Sequence, residues 1–137
     1  MRKIVLMFVA VMLIQGLSAQ VANKFVSSAF SKTELKAMTP EQIDYLNFLS
    51  EKAAIVSYAP EKAPLCEDIS VVSAKSGVSI SSVTKENFNF HMFNFVIDPT
   101  KSQVYKIGDS GNIVMIYSQE RLNIMYDRYK KSNSSKQ

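Results

Sequence analysis

The first twenty residues do most to limit what this chain can fold into. Arg2 and Lys3 precede an unbroken apolar run over residues 4–14, which closes on the small and polar Gly16-Leu17-Ser18-Ala19-Gln20. A basic start, a short apolar centre and a small residue at the cut predict a secretory signal peptide over residues 1–19, cleaved after Ala19. The run falls short of the roughly 20 apolar residues that span a hydrocarbon core, so cleavage rather than a retained membrane anchor is expected. The fold must then be built from residues 20–137 in an oxidising compartment. Cys66 is the one cysteine, so no internal disulfide can staple that fold and packing has to hold it. No cysteine closes the apolar run, which argues against a lipid anchor at the junction.

The remaining length suits one domain with a modest continuous core. Arg2 and Lys3 leave with the signal, so the 16 basic residues fall to 14 against 12 acidic ones, a net charge of +2. Basic residues are scattered and only Lys130-Lys131 adjoin. With no stripe able to release many phosphate counterions, nucleic acid is not an expected partner.

Residues 20–38 read as an N-terminal arm, with Phe25, Val26, Ala29 and Phe30 at helical spacing for one short helix. Thr39-Pro40-Glu41 is a helix start: Thr caps free N–H groups, Pro suits the first turn and Glu favours its positive end. The spacing predicts a helix over residues 40–58, with Ile43, Leu46, Leu49, Ala53 and Val56 on one stripe. Pro60 and Pro64 end it. Residues 69–74 and 78–83 read as weak strands joined at Lys75-Ser76-Gly77, and residues 88–97 as a stronger one. In that stretch Phe88, Phe90 and Met92 alternate with Asn89 and His91, and the phase then shifts to Phe93, Phe95 and Ile97, which predicts a bulge near Met92-Phe93. Residues 103–107 and 113–117 form a hairpin around Gly108-Asp109-Ser110-Gly111-Asn112, completing a three-strand meander. The apolar Ile113-Val114-Met115-Ile116 suggests a strand covered on both sides. Ser118 caps a last helix with Leu122, Met125, Tyr126 and Tyr129 on its buried stripe. Residues 132–137 read as a disordered polar tail.

Two motifs suggest catalysis. Gly108-Asp109-Ser110-Gly111 is similar to the segment around the nucleophile of trypsin-like serine proteases, and His91, Asp98 and Ser110 occur in that family's order. The likeness covers four residues, Asn112 stands where a further glycine is usual, and the chain is too short for a second barrel. Gly, Asp, Ser and Asn between two alternating segments are also what a hairpin turn requires, since Gly and Asn accept positive φ and Asp and Ser bond their own backbone. Cys66 and His91 offer a thiol and a base, a pairing that needs hydrogen-bond contact and a third orienting group that the sequence does not supply. Glu67-Asp68 beside Cys66 makes at most a partial metal cluster, and no Cys-x-x-Cys or His-x-x-x-His spacing is present.

The expected fold class is therefore α+β: N-terminal and C-terminal helices packed on an antiparallel sheet of about four strands, preceded by a cleaved signal peptide, with a single α+β domain over residues 39–131. A helix followed by antiparallel strands resembles the cystatin-like arrangement in outline, but no motif of that family is present and the likeness implies nothing about function. No catalytic, cofactor-binding or metal-binding set is expected. The expected function is a small exported, non-enzymatic binding module, periplasmic or extracellular, whose partner is another protein of a bacterial envelope or its surroundings. Its candidate interaction surface is the ring set Phe88, Phe90, Phe93 and Phe95. A small exported hydrolase using Cys66 and His91, or Ser110, is the alternative.

Overall fold

The structure is a computed structural model and describes residues 21–75, 78 and 83–135. The expected signal peptide lies outside the described residues. Among those residues the fold is α+β, with four helices and one four-stranded mixed sheet. The chain divides into two compact units after Asn47.

Of the first unit, residues 21–47 are described. Two short helices stand where one was expected: α1 (Lys24–Ala29) and α2 (Lys32–Lys36). Each begins at a residue whose side chain accepts from the first turn. Asn23 Oδ1 accepts the Val26 N–H at 3.0 Å, and Ser31 with Glu34 forms a reciprocal capping box. Thr39 and Gln42 make the same exchange at the start of α3 (Pro40–Lys52). Asn47, buried on α3, ties the arm down with both ends of its amide, donating to the Val21 carbonyl and accepting the Asn23 N–H, each at 2.9 Å. A buried amide with both functions satisfied fixes one arrangement of the backbone it grips.

The second unit begins with Phe48 in the last turns of α3. The helix stops at Lys52 rather than Tyr58, and β1 (Ala54–Tyr58) follows at once. Ala53 and Val56 continue the helical stripe in sequence. Even so, Ile55-Val56 is β-branched, and β4 (Asn112–Ile116) offers a ladder that gives these residues more than a further helical turn would. The Tyr117 N–H donates to the Ala53 carbonyl and the Ala59 N–H to the Gly111 carbonyl, so the pairing frames β1 at both ends.

β3 (Gln103–Lys106) pairs antiparallel with β4, as the hairpin reading requires. β2 is only Glu67–Asp68 and runs parallel to β3, so the sheet is mixed, in the order β1-β4-β3-β2. The Asp68 carboxylate then caps a 3₁₀ turn at Ile69–Val71, where a strand over residues 69–74 was expected. Most of the expected strand over residues 78–83 lies outside the described residues.

Residues 88–97 are not a strand. Asn89 Oδ1 accepts the His91 N–H at 3.1 Å and starts a 3₁₀ turn, Phe90–Met92, at the place where the alternation changes phase. One isolated bridge, Ala74 to Phe93, is the only sheet-like pairing of this segment among the described residues. Asn89 and His91, on the polar parity of the expected strand, are buried rather than exposed. The last helix, α4 (Gln119–Ser135), is capped by Ser118 Oγ accepting the Arg121 N–H. It continues through residues expected to form a disordered tail, since no Pro or Gly interrupts its hydrogen bonding before Ser135.

Candidate functional site

The cross-strand register sorts the sheet's residues onto two faces, because directly opposed residues point the same way. On one face Val114 and Ile116 of β4 are fully buried, flanked by Ala54 and Val56 of β1 and by Gln103 and Tyr105 of β3. On the other face Met115 lies between Ile55 of β1 and Val104 of β3, making an apolar row across three strands. Ile55 is 45% exposed and Val104 39% exposed, and Met115 is half-buried. The next row holds Ser57, Ile113 and Lys106. β4 is thus covered on one side and open on the other, not enclosed on both.

The hairpin turn that supports this face is built from the residues that imitate a protease motif. Gly108 has φ +55° and Gly111 φ +82°, values that favour glycine. The Ser110 hydroxyl donates to the Ile107 carbonyl at 2.6 Å and accepts the Asn112 N–H at 3.1 Å. The serine is engaged in its own turn. Asp98 accepts the Thr100 and Lys101 N–H groups, each at 2.9 Å, and those bonds hold its carboxyl below the usual range. Asp98 therefore caps the loop before β3. His91 sits in the Phe90–Met92 turn, edge-on to the Phe90 ring. Cys66 is half-exposed after the 3₁₀ turn Ala63–Leu65, its thiol donating to the Lys62 carbonyl at 3.4 Å.

Other ionisable groups also act structurally. Asp68 Oδ2 accepts the Ser70 N–H and Oδ1 accepts the Gly108 N–H at 2.9 Å, so it links β2 to the hairpin turn. Hydrogen bonds from the Ser70 side chain and N–H, helped by Gly108 and the Lys106 charge, hold its carboxyl below the ordinary value. Burial, with a smaller contribution from Glu67, pushes the Tyr105 phenol up. No group of three or more His, Cys, Asp or Glu able to hold a metal ion occurs among the described residues.

The phenylalanines expected to form an interaction surface pack against one another in one ring cluster. Phe90 is 7% and Phe93 4% exposed, while Phe88 and Phe95 are half-buried. Phe95 meets Phe90 at 5.1 Å, Phe93 at 5.5 Å and Tyr105 at 6.0 Å between ring centres, and Phe88 lies 5.8 Å from Phe93. Rings so arranged satisfy one another, which leaves Phe88 and Phe95 as the half-accessible members.

Clefts among the described residues of the second unit include two of some size. One of about 500 Å³ has Phe48, Glu51, Lys52, Met125, Arg128 and Tyr129 in its lining. The other, about 340 Å³, lies beside the hairpin turn among Pro60, Pro64, Lys106, Gly108 and Asp109. Neither gathers Cys66, His91 or Ser110. The Ile55–Met115–Val104 row does not show in the sequence, because the helical spacing continues through residue 55. The available signal was the β-branched Ile55-Val56 pair just before Pro60.

No protein-family model matches the chain, and no curated protein or solved structure matches it.

Proposed function

We propose that this chain is a small exported, non-enzymatic binding module that docks another protein of the envelope or extracellular space on the open face of its sheet. α4 covers the opposite face in this reading, where Val114 and Ile116 are fully buried. The apolar row Ile55–Met115–Val104 carries the proposal, because a folded domain keeps contiguous apolar side chains in water chiefly where something binds them. Export rests on the basic, apolar and small-residue order of residues 1–20. Among the described residues no helix is long and apolar enough to cross a membrane. The engagement of Ser110 and Asp98 in their own turns supports a non-enzymatic role.

The test is in-cell cross-linking of C-terminally tagged protein in its source organism, followed by mass spectrometry of what is recovered. One reproducible partner is expected, and it should be lost in Val104→Glu while circular dichroism shows the fold retained. Recovery of the same partner with Val104→Glu would reject the open face as its docking site.

A further inference from the structure

The two edges of the sheet are built differently. β2 is two residues long, and both are acidic, which is how natural sheets discourage a further strand. β1 has five residues, Ala54-Ile55-Val56-Ser57-Tyr58, with no charge, no proline and no bulge. Among the described residues its one sheet neighbour is β4.

The register shows which backbone groups this edge presents. The Ala53 carbonyl and the Ala59 N–H both bond toward β4, and antiparallel strands alternate in direction residue by residue. Ile55 and Ser57 therefore turn their backbone groups to β4, and Ala54, Val56 and Tyr58 turn theirs outward.

We infer that this edge pairs with the same edge of a second copy of the chain, antiparallel about a two-fold axis at Val56. That register opposes Ala54 to the partner's Tyr58, Val56 to the partner's Val56 and Tyr58 to the partner's Ala54, and each pair exchanges two backbone hydrogen bonds. No outward donor or acceptor of β1 is left over. The side chains fit the same symmetry. Tyr58, 69% exposed, falls against the small Ala54, and Ile55 falls against Ser57. A two-fold axis brings every charge near it close to its own copy, and β1 carries none to repel. The hydrogen bonds lie in the plane of the sheet, so pairing leaves the Ile55–Met115–Val104 face free and does not depend on its use.

The test uses the chain as recovered from its source cells. Sedimentation velocity over a wide range of concentration should show a monomer–dimer equilibrium, and Ser57→Lys, which puts a charge on the edge, should weaken it by about tenfold or more. Register is tested in a Cys66→Ser chain carrying Ile55→Cys and Ser57→Cys. These positions face each other across the axis as a non-hydrogen-bonded pair, with Cα atoms about 4.5 Å apart, inside the range of a disulfide. Mild oxidation should give a covalent dimer, and a Cys66→Ser chain with Glu120→Cys alone should give none. A monomer at every concentration, a dimer indifferent to Ser57→Lys, or a dimer without the 55–57 disulfide would each overturn the inference. Val104→Glu separates this from the open-face proposal, since it should abolish partner recovery and leave the dimer unchanged.

Discussion

The β3–β4 hairpin and residues 88–97 belong to the same unit and are held by different forces. In the hairpin the backbone does the ordering: four register pairs join β3 to β4, and two positive-φ glycines with the Ser110 hydroxyl close the turn. Residues 88–97 have one bridge to Ala74 and a 3₁₀ turn, and four stacked phenylalanines supply the rest. A ladder is cooperative along its length, whereas a ring cluster depends on each large side chain. Substitutions should therefore act differently in the two regions.

The largest effect is expected at Phe93. It is buried, stacks on Phe88, meets Phe95 at a tilt, and carries the bridge to Ala74. Phe93→Ala should destabilise the protein by about 3–5 kcal/mol in urea unfolding. Amide exchange of residues 88–97 should accelerate more than that of β3 and β4. Equal acceleration in both would show that the two regions open as one and that the contrast is false.

Within the hairpin the two glycines separate conformation from space. A Cβ at Gly111 would meet the Tyr58 ring at 2.8 Å, at a φ of +82°. One at Gly108 would meet nothing within 4 Å, at φ +55°. Gly111→Ala should cost about 1–3 kcal/mol, and Gly108→Ala about 1 kcal/mol, the backbone part alone. Adding Tyr58→Ala should recover part of the Gly111→Ala loss and none of the Gly108→Ala loss, read as shifts in the urea midpoint. Ser110→Ala should cost about as much as Gly108→Ala, about 1 kcal/mol, because it removes hydrogen bonds at an exposed turn.

The same contrast explains what was legible in the sequence. Gly108 to Asn112 announced a turn because positive φ restricts the choice of residue, and the apolar segments on both sides marked the two strands to within a residue at their ends, though the register of their pairing was not legible. The α4 cap was legible for a similar reason, since Ser118 followed by Gln119-Glu120 is a local chemical signal. The alternation of Phe88, Phe90 and Met92 with Asn89 and His91 was read as inside and outside, yet Asn89 and His91 are themselves buried. Asn89 is there to cap a 3₁₀ turn, a use of its side chain that periodicity does not reveal. β1 was hidden by the opposite fault. Ala53 and Val56 fitted the helical stripe of Ile43, Leu46 and Leu49, and only the distant partner β4 decides that residues 54–58 are extended. The parallel β2 is too short to carry a pattern at all. The open-face row depends on both errors, because Ile55 becomes a neighbour of Met115 and Val104 only once β1 is placed.

Acid should distinguish the two regions by the smallest effect. Asp68 pins the hairpin turn through the Gly108 N–H, and Asp98 caps the loop that leads from residues 88–97 into β3. Both carboxyls lie below their ordinary value of 3.8 in the folded chain, Asp68 chiefly through Ser70 and Asp98 chiefly through the Thr100 N–H. A carboxylate whose folded pKa is depressed contributes stability that is fully present above its unfolded value and is lost as pH falls through the folded one. Stability should therefore decline below about pH 4. Asp68→Asn and Asp98→Asn should each lower stability near neutral pH and flatten that acid-side decline. Because Asp68 anchors the ladder, its replacement should speed amide exchange around Gly108 and in β3. Replacement of Asp98 should speed exchange only at Thr100 and Lys101. An acid decline as steep in Asp68→Asn as in the unaltered chain would show that the hairpin is not held to β2 by this carboxylate.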